Sequence, residues 1–108
     1  MLRGEYTVTA GGKERHFKLC TLSDNIFCQQ ENIKLSEYVG RLKEPLPFTQ
    51  VHLIYSQAIA YARINRVAID FTIEDVTVWL DEVGESVFVE KITQIAEVQL
   101  EKNQTAPQ

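Results

Sequence analysis

A chain of 108 residues with 44% hydrophobic and 24% charged side chains, spread along its length, has the make-up of one globular domain; this excludes a disordered chain and a second independent domain. A formal net charge of −4 argues against a phosphate-tracking surface, because nucleic-acid affinity comes chiefly from clustered Lys and Arg. No apolar run approaches the roughly 20 residues of a membrane span, and Met1–Glu5 leads into a strand-like segment rather than a signal-peptide core, so a cytoplasmic protein is expected.

Residues 5–19 read as a β-hairpin. Tyr6, Val8 and Ala10 alternate with polar neighbours, Gly11-Gly12 offers a positive-φ turn, and Phe17 and Leu19 alternate on the return. The Gly11-Gly12-Lys13 triplet lacks the distant first Gly, the Ser or Thr after Lys, and the helix of a phosphate loop. From Thr21 the period becomes helical through Leu22, Ile26 and Phe27, giving a first helix to about Asn32 with Thr21 or Ser23 as its N-cap. Leu35, Tyr38, Val39 and Leu42 predict a short second helix, capped by Ser36 or slightly earlier and stopped by Pro45 and Pro47.

Thr49 opens a third helix in which Val51, Ile54, Tyr55, Ala58, Ile59 and Ala62 recur at three- and four-residue steps, the pattern of a central packing element. Its small residues Ala58, Ala60 and Ala62 admit a close neighbour. Arg63 and Arg66 complement the dipole at its end, and Asn65 is the expected left-handed cap. Residues 67–71 fit either a short strand or an extended connector.

Thr72 with Asp75 has the form of a capping box, and it starts a fourth helix with Val76, Trp79, Leu80 and Val83 on one face and Gly84 at its end. A last helix runs from about Glu85 to Lys102. Phe88, Ile92, Ile95, Ala96 and Gln99 form its stripe, and Val89, Val98 and Leu100 widen that stripe beyond what one small core needs. The fold class is therefore mainly α, within α+β: an N-terminal hairpin and about five helices packed in a small bundle. One domain is expected over 1–102, with a disordered polar tail over 103–108.

No motif for catalysis, a metal or a cofactor is legible. His16 and His52 are the available neutral-pH bases, and neither lies in a nucleophile or ligand motif. Cys20 and Cys28 are eight positions apart, unlike a redox or zinc pair, and are expected to be free buried thiols. Glu74, Asp75, Asp81, Glu82 and Glu85 fall on the exposed side and first turn of the fourth helix rather than forming a paired-carboxylate centre. Such an acidic face can steer a basic partner. Trp79 and Tyr55 read as core.

In order, the chain presents a Gly-Gly hairpin ending in Phe17-Lys18-Leu19, a helix through Asn25-Ile26-Phe27-Cys28-Gln29-Gln30-Glu31 and a short Leu35-to-Leu42 helix. A long Ala-rich helix follows, then Phe71-Thr72-Ile73-Glu74-Asp75-Val76-Thr77-Val78-Trp79-Leu80-Asp81-Glu82 and a closing helix. Over about residues 5–100 this order resembles the tail assembly chaperones of long-tailed bacteriophages and gene transfer agents. The family often has a Gly-containing turn after the first helix, where this chain has Glu31-Asn32-Ile33-Lys34; Asn32 can take the left-handed conformation that Gly would supply.

The resemblance implies a protein that holds tape-measure and tail-tube proteins soluble until they polymerise, without a cofactor, nucleic acid or membrane. It also implies a short form of a protein that some relatives make in a frameshifted longer form. The expected contact residues are Val89, Val98 and Leu100 together with the acidic face Glu74, Asp75, Asp81 and Glu82. The main alternative is a structural module that self-associates through its last helix. A small enzyme using His16 or His52 is a weaker one.

Overall fold

The computed structural model describes residues 3–105, with side-chain surroundings through Gln99. Strands β1 (Gly4–Ala10) and β2 (Lys13–Leu19) form a two-stranded antiparallel sheet. Helix α1 (Thr21–Glu31) follows, then a 3-10 turn (Leu35–Glu37) that runs into α2 (Tyr38–Lys43), and then α3 (Thr49–Ile64), α4 (Ile73–Val83) and α5 (Glu85–Thr105). This is the expected α+β arrangement of a hairpin and five helices.

The hairpin closes at the Ala10–Lys13 pair, with Gly11 and Gly12 at φ of 61° and 82°. Both turn residues are thus left-handed, as a tight turn matching strand twist requires. A Cβ on Gly11 would also lie 3.0 Å from the indole nitrogen of Trp79, so turn and α4 meet where no side chain fits. Period-two alternation sends Tyr6, Val8, Ala10, Phe17 and Leu19 inward.

Phe17 is the centre of the core. It stacks on Tyr6 at 4.9 Å and meets the edges of Trp79 and Phe88 at 6.3 and 5.5 Å, so one strand residue joins the sheet to α4 and α5. Helix α3 serves two sides at once. Val51, Ile54 and Ala58 join the Phe17 cluster, whereas Ile59 and Ala60 pack with Cys20 and Ile26 at α1. The buried alanines of α3 are the expected close-packing residues. Tyr6 donates its phenolic hydrogen to the Gln57 side-chain oxygen, which satisfies both polar groups deep in this core.

Helix ends correct two sequence expectations and narrow a third. The N-cap of α1 is Cys20 rather than Thr21 or Ser23; Ser23 sits one turn in, accepting from the Cys20 amide at 2.9 Å and donating to its carbonyl at 2.8 Å. Asn65 keeps a right-handed φ of −93°, and Arg66 takes the left-handed cap at φ 55°. Its amide bonds the Arg63 carbonyl and the Val67 amide bonds that of Ala62, the paired closure of a helix end. The 3-10 turn precedes α2, and its cap is Lys34, whose amide donates to the Glu37 carboxylate; of the two expected positions, Ser36 or slightly earlier, the earlier one holds.

Other ends follow the sequence. Asn32 is left-handed at φ 56° and closes α1 with bonds from its own amide and from Ile33. Thr72 and Asp75 form the expected capping box, and Gly84, at φ 100°, turns α4 into α5 in a single residue. Residues 67–71 form no strand. They run as a connector that Asp70 ties to the hairpin through Lys13 and through Arg15 at 3.0 Å, while the Arg15 guanidinium lies 4.6 Å from the Trp79 ring centre. Helix α5 continues to Thr105, three residues past the expected boundary; the remainder of the polar ending lies outside the described residues.

Candidate functional site

The expected contact residues divide by surroundings. Val89 and Val98 are exposed on α5, and the side chain of Leu100 lies outside the described residues. Glu74, Asp75, Asp81 and Glu82 are all exposed on α4 and, at three- and four-residue steps, flank an exposed Val78 that lies outside the expected contact set. Two of the four acids have work inside the molecule: Asp75 bonds the Thr72 amide at 2.8 Å, and Glu82 accepts from the Gly11 amide at 3.4 Å. The charge asymmetry is larger than that one face. Residues 72–99 carry seven acids against one lysine, whereas residues 1–71 carry nine Lys and Arg against seven acids.

Val98 borders an open hollow of about 620 Å³ between β1 and α5 whose walls include Arg3, Glu5, Thr7, His16, Lys91 and Gln94. Most of these side chains are polar or charged, so water serves them well and an apolar partner would have to strip it.

The strongest apolar exposure lies elsewhere, between α1 and α3. Leu35, Val39, Leu42, Leu46 and Phe48 are all exposed, with Val39 at 59% and Phe48 at 63%. Neither the 3-10 turn nor α2 buries a single residue. Six helical residues between a left-handed Asn32 and two prolines cannot wrap an apolar stripe around a core, so the stripe stays at the surface. Beneath α2 is a groove of about 230 Å³ lined by Leu19, Leu53 and Ile92 from the body, Tyr38, Val39 and Leu42 from α2, and the single polar Gln57. An apolar groove bordered by further exposed apolar side chains is the surface feature expected of a protein-contact site.

A buried carboxylate sets the position of α2. The Glu31 side chain is 3% exposed; one of its oxygens accepts from Arg41 at 2.9 Å and from the Thr49 hydroxyl at 2.6 Å, and the other pairs with His52 Nδ1. Burial pushes the Glu31 carboxyl up, but the hydrogen bonds from Thr49, His52 and Arg41 outweigh it and hold the acid below the usual range. On the other side of the groove, Tyr38 meets the edge of Phe27 at 5.2 Å and bonds Asp24. Burial raises the Asp24 carboxyl despite the Tyr38 hydrogen bond, and burial with the neighbouring Asp24 charge raises the Tyr38 phenol.

Thr49, His52 and Glu31 have the residue types of a nucleophilic relay but not its geometry. Both the hydroxyl and the imidazole point at the carboxylate rather than at each other. His16 stacks on Tyr61 at 4.8 Å and lies 3.4 Å from Glu14. Cys20 and Cys28 are free and buried, and among the described residues no group of three His, Cys, Asp or Glu side chains could hold a metal ion. Within that same range no helix is long and apolar enough to cross a membrane. Set against protein-family models, characterised proteins and solved structures, the chain matches none.

Proposed function

We propose that this protein is a tail assembly chaperone of the long-tailed phage type, which binds tape-measure or tail-tube proteins and keeps them soluble in the bacterial cytoplasm until the tail polymerises. The observation that carries the reading is the concentration of exposed apolar side chains over residues 35–48 around an apolar groove, in a molecule whose core is already filled by the hairpin and α3–α5. The order of hairpin and helices that the family resemblance rests on supports it.

The mechanism needs only differential burial. A client helix laid along Leu35, Val39, Leu42, Leu46 and Phe48 loses apolar surface to solvent, at about 25 cal/mol per Å² before the costs of association. Growing tail, which covers the same client surface more fully, then takes the client by competition. No nucleotide or metal is called for, and the protein is not an enzyme on this reading. The acids of α4 and α5 speed encounter with a basic client without adding much affinity, and Val78, Val89 and Val98 offer secondary apolar contact among them.

Co-expression with a tape-measure and a tail-tube protein of a long-tailed phage tests the reading. Val39→Asp with Leu42→Asp is expected to abolish co-purification and client solubility, and Val89→Asp with Val98→Asp to weaken them less. If the wild-type protein leaves both clients insoluble, the reading fails. A concentration-independent oligomer that disappears in the Val89→Asp, Val98→Asp variant would then favour the module that self-associates through its last helix, for which the exposed valines of α5 are the supporting observation.

A further inference from the structure

The groove beneath α2 has one wall unlike the others. Leu19, Leu53, Gln57 and Ile92 belong to β2, α3 and α5, elements that contribute to the core, whereas Tyr38, Val39 and Leu42 belong to a helix with no fully buried residue. We propose that residues 34–44 form a flap that opens as a unit while α1 and α3 stay folded, and that its opening widens the groove to admit the apolar face of a client helix. The second half of this inference rests on the reading of the groove as the client site; the first half does not.

Three features point to a hinged segment. Both of its ends are pinned. Asn32 closes α1 in the left-handed conformation on one side, and on the other the Leu46 amide donates to the Thr49 hydroxyl at 2.9 Å, with Pro45 and Pro47 stiffening the return. The segment itself is weak, since a six-residue helix is below the length that is stable alone and this one carries Gly40 within it.

The third feature is the latch. Arg41 is one of three groups on Glu31, and when it lets go the carboxylate keeps Thr49 and His52, so release exposes no orphaned buried charge. Arg41, already 20% exposed, passes directly to water. Tyr38 is the remaining tether, through Phe27 and Asp24. A carboxylate fully committed to a single arginine could not open at comparable cost.

Two substitutions push the flap in opposite directions without touching the core. Arg41→Ala removes the latch. Gly40→Ala strengthens the helix, and a methyl group there meets no atom within 4 Å. Native-state hydrogen exchange reads the result through the α2 amides, including that of Glu44, which donates to the Gly40 carbonyl at 2.9 Å.

Relative to the wild-type protein, these amides are expected to exchange roughly tenfold faster in Arg41→Ala and about fivefold slower in Gly40→Ala, with α3 amides unchanged in both. Binding of the apolar dye anilinonaphthalene sulfonate should rise in the first variant and fall in the second. Exchange of α2 at the same rate as α3 in the wild-type protein, or a change shared by all helices in Arg41→Ala, would overturn the flap. Client capture that follows the dye supports the gating role. Opposed exchange shifts with equal client capture in both variants overturn it, and absence of capture in every variant, wild type included, overturns the chaperone reading while the exchange result stands.

Discussion

Phe17 and Phe48 are the same residue type in opposite situations. The first is completely buried among Tyr6, Trp79 and Phe88; the second is 63% exposed at the start of α3. The regions around them differ in the same way. The hairpin and α3–α5 draw each apolar stripe onto another, and Tyr6 and Gln57 pair with each other deep in that core, although the side-chain nitrogen of Gln50 on α3 is buried without a partner. Residues 35–48 are comparably rich in apolar side chains, yet they are held to the body by a carboxylate, an aromatic edge and a groove only partly filled. Apolar content does not decide burial; the length of an element and the anchors at its ends decide whether its stripe can reach a partner.

Breaking the first region should cost most. Phe17→Ala removes the shared contact of sheet, α4 and α5, and a loss of about 4 kcal/mol is expected in urea unfolding. Should Phe48→Ala cost the same, the contrast between the regions collapses; for that exposed ring the expected change is within about 0.5 kcal/mol.

The link between the two regions comes next. Glu31→Ala leaves Arg41 and His52 without their buried partner, at about 3 kcal/mol. The sign with pH follows from the direction of the shift. A carboxyl held below its unfolded value of about 4.3 contributes stability above that pH, and the contribution is lost as pH falls through the lower folded value. Glu31→Gln should therefore flatten the acid limb of a stability profile below about pH 4. Buried Asp24 runs the other way. Its raised carboxyl favours folding below the unfolded value of about 3.9, and that contribution is lost as pH rises through the folded one, so Asp24→Asn should gain stability at neutral pH relative to acid. Profiles with the same slope for both variants would remove the distinction drawn between the two sides of the groove.

Arg66→Gly is the smallest test. Relieving a left-handed arginine should stabilise the protein by about 0.5–1 kcal/mol, seen as a higher unfolding midpoint with unchanged slope. No gain would mean that the Arg66 side chain offsets the backbone cost through contacts of its own.

Much of the fold was legible before any coordinates. Gly11-Gly12 as a turn, the Thr72–Asp75 box, Gly84 as a stop and the buried faces of α3 and α4 are local or periodic features, and each appears where the spacing placed it. Errors of one residue, such as Arg66 rather than Asn65 at the left-handed cap, arise because helix ends are settled by which carbonyl the next amide can reach. The surface was less legible. The breadth of the α5 stripe points to that helix, and Val89 and Val98 are exposed, but the larger apolar surface belongs to the short second helix and its flanks.

The sequence by itself determined the class of fold, the order and type of the elements and the core residues of the long ones, because those depend on periodicity and on the conformational limits of Gly, Asn and Pro within a few residues. Only the tertiary structure decided that Glu31 gathers Arg41, Thr49 and His52, that Asp70 joins the connector to the hairpin, and that the groove under α2 exists. The side chains that Glu31 and Asp70 gather stand between 10 and 57 positions from them along the chain, and no local spacing encodes a meeting that depends on how separate elements pack.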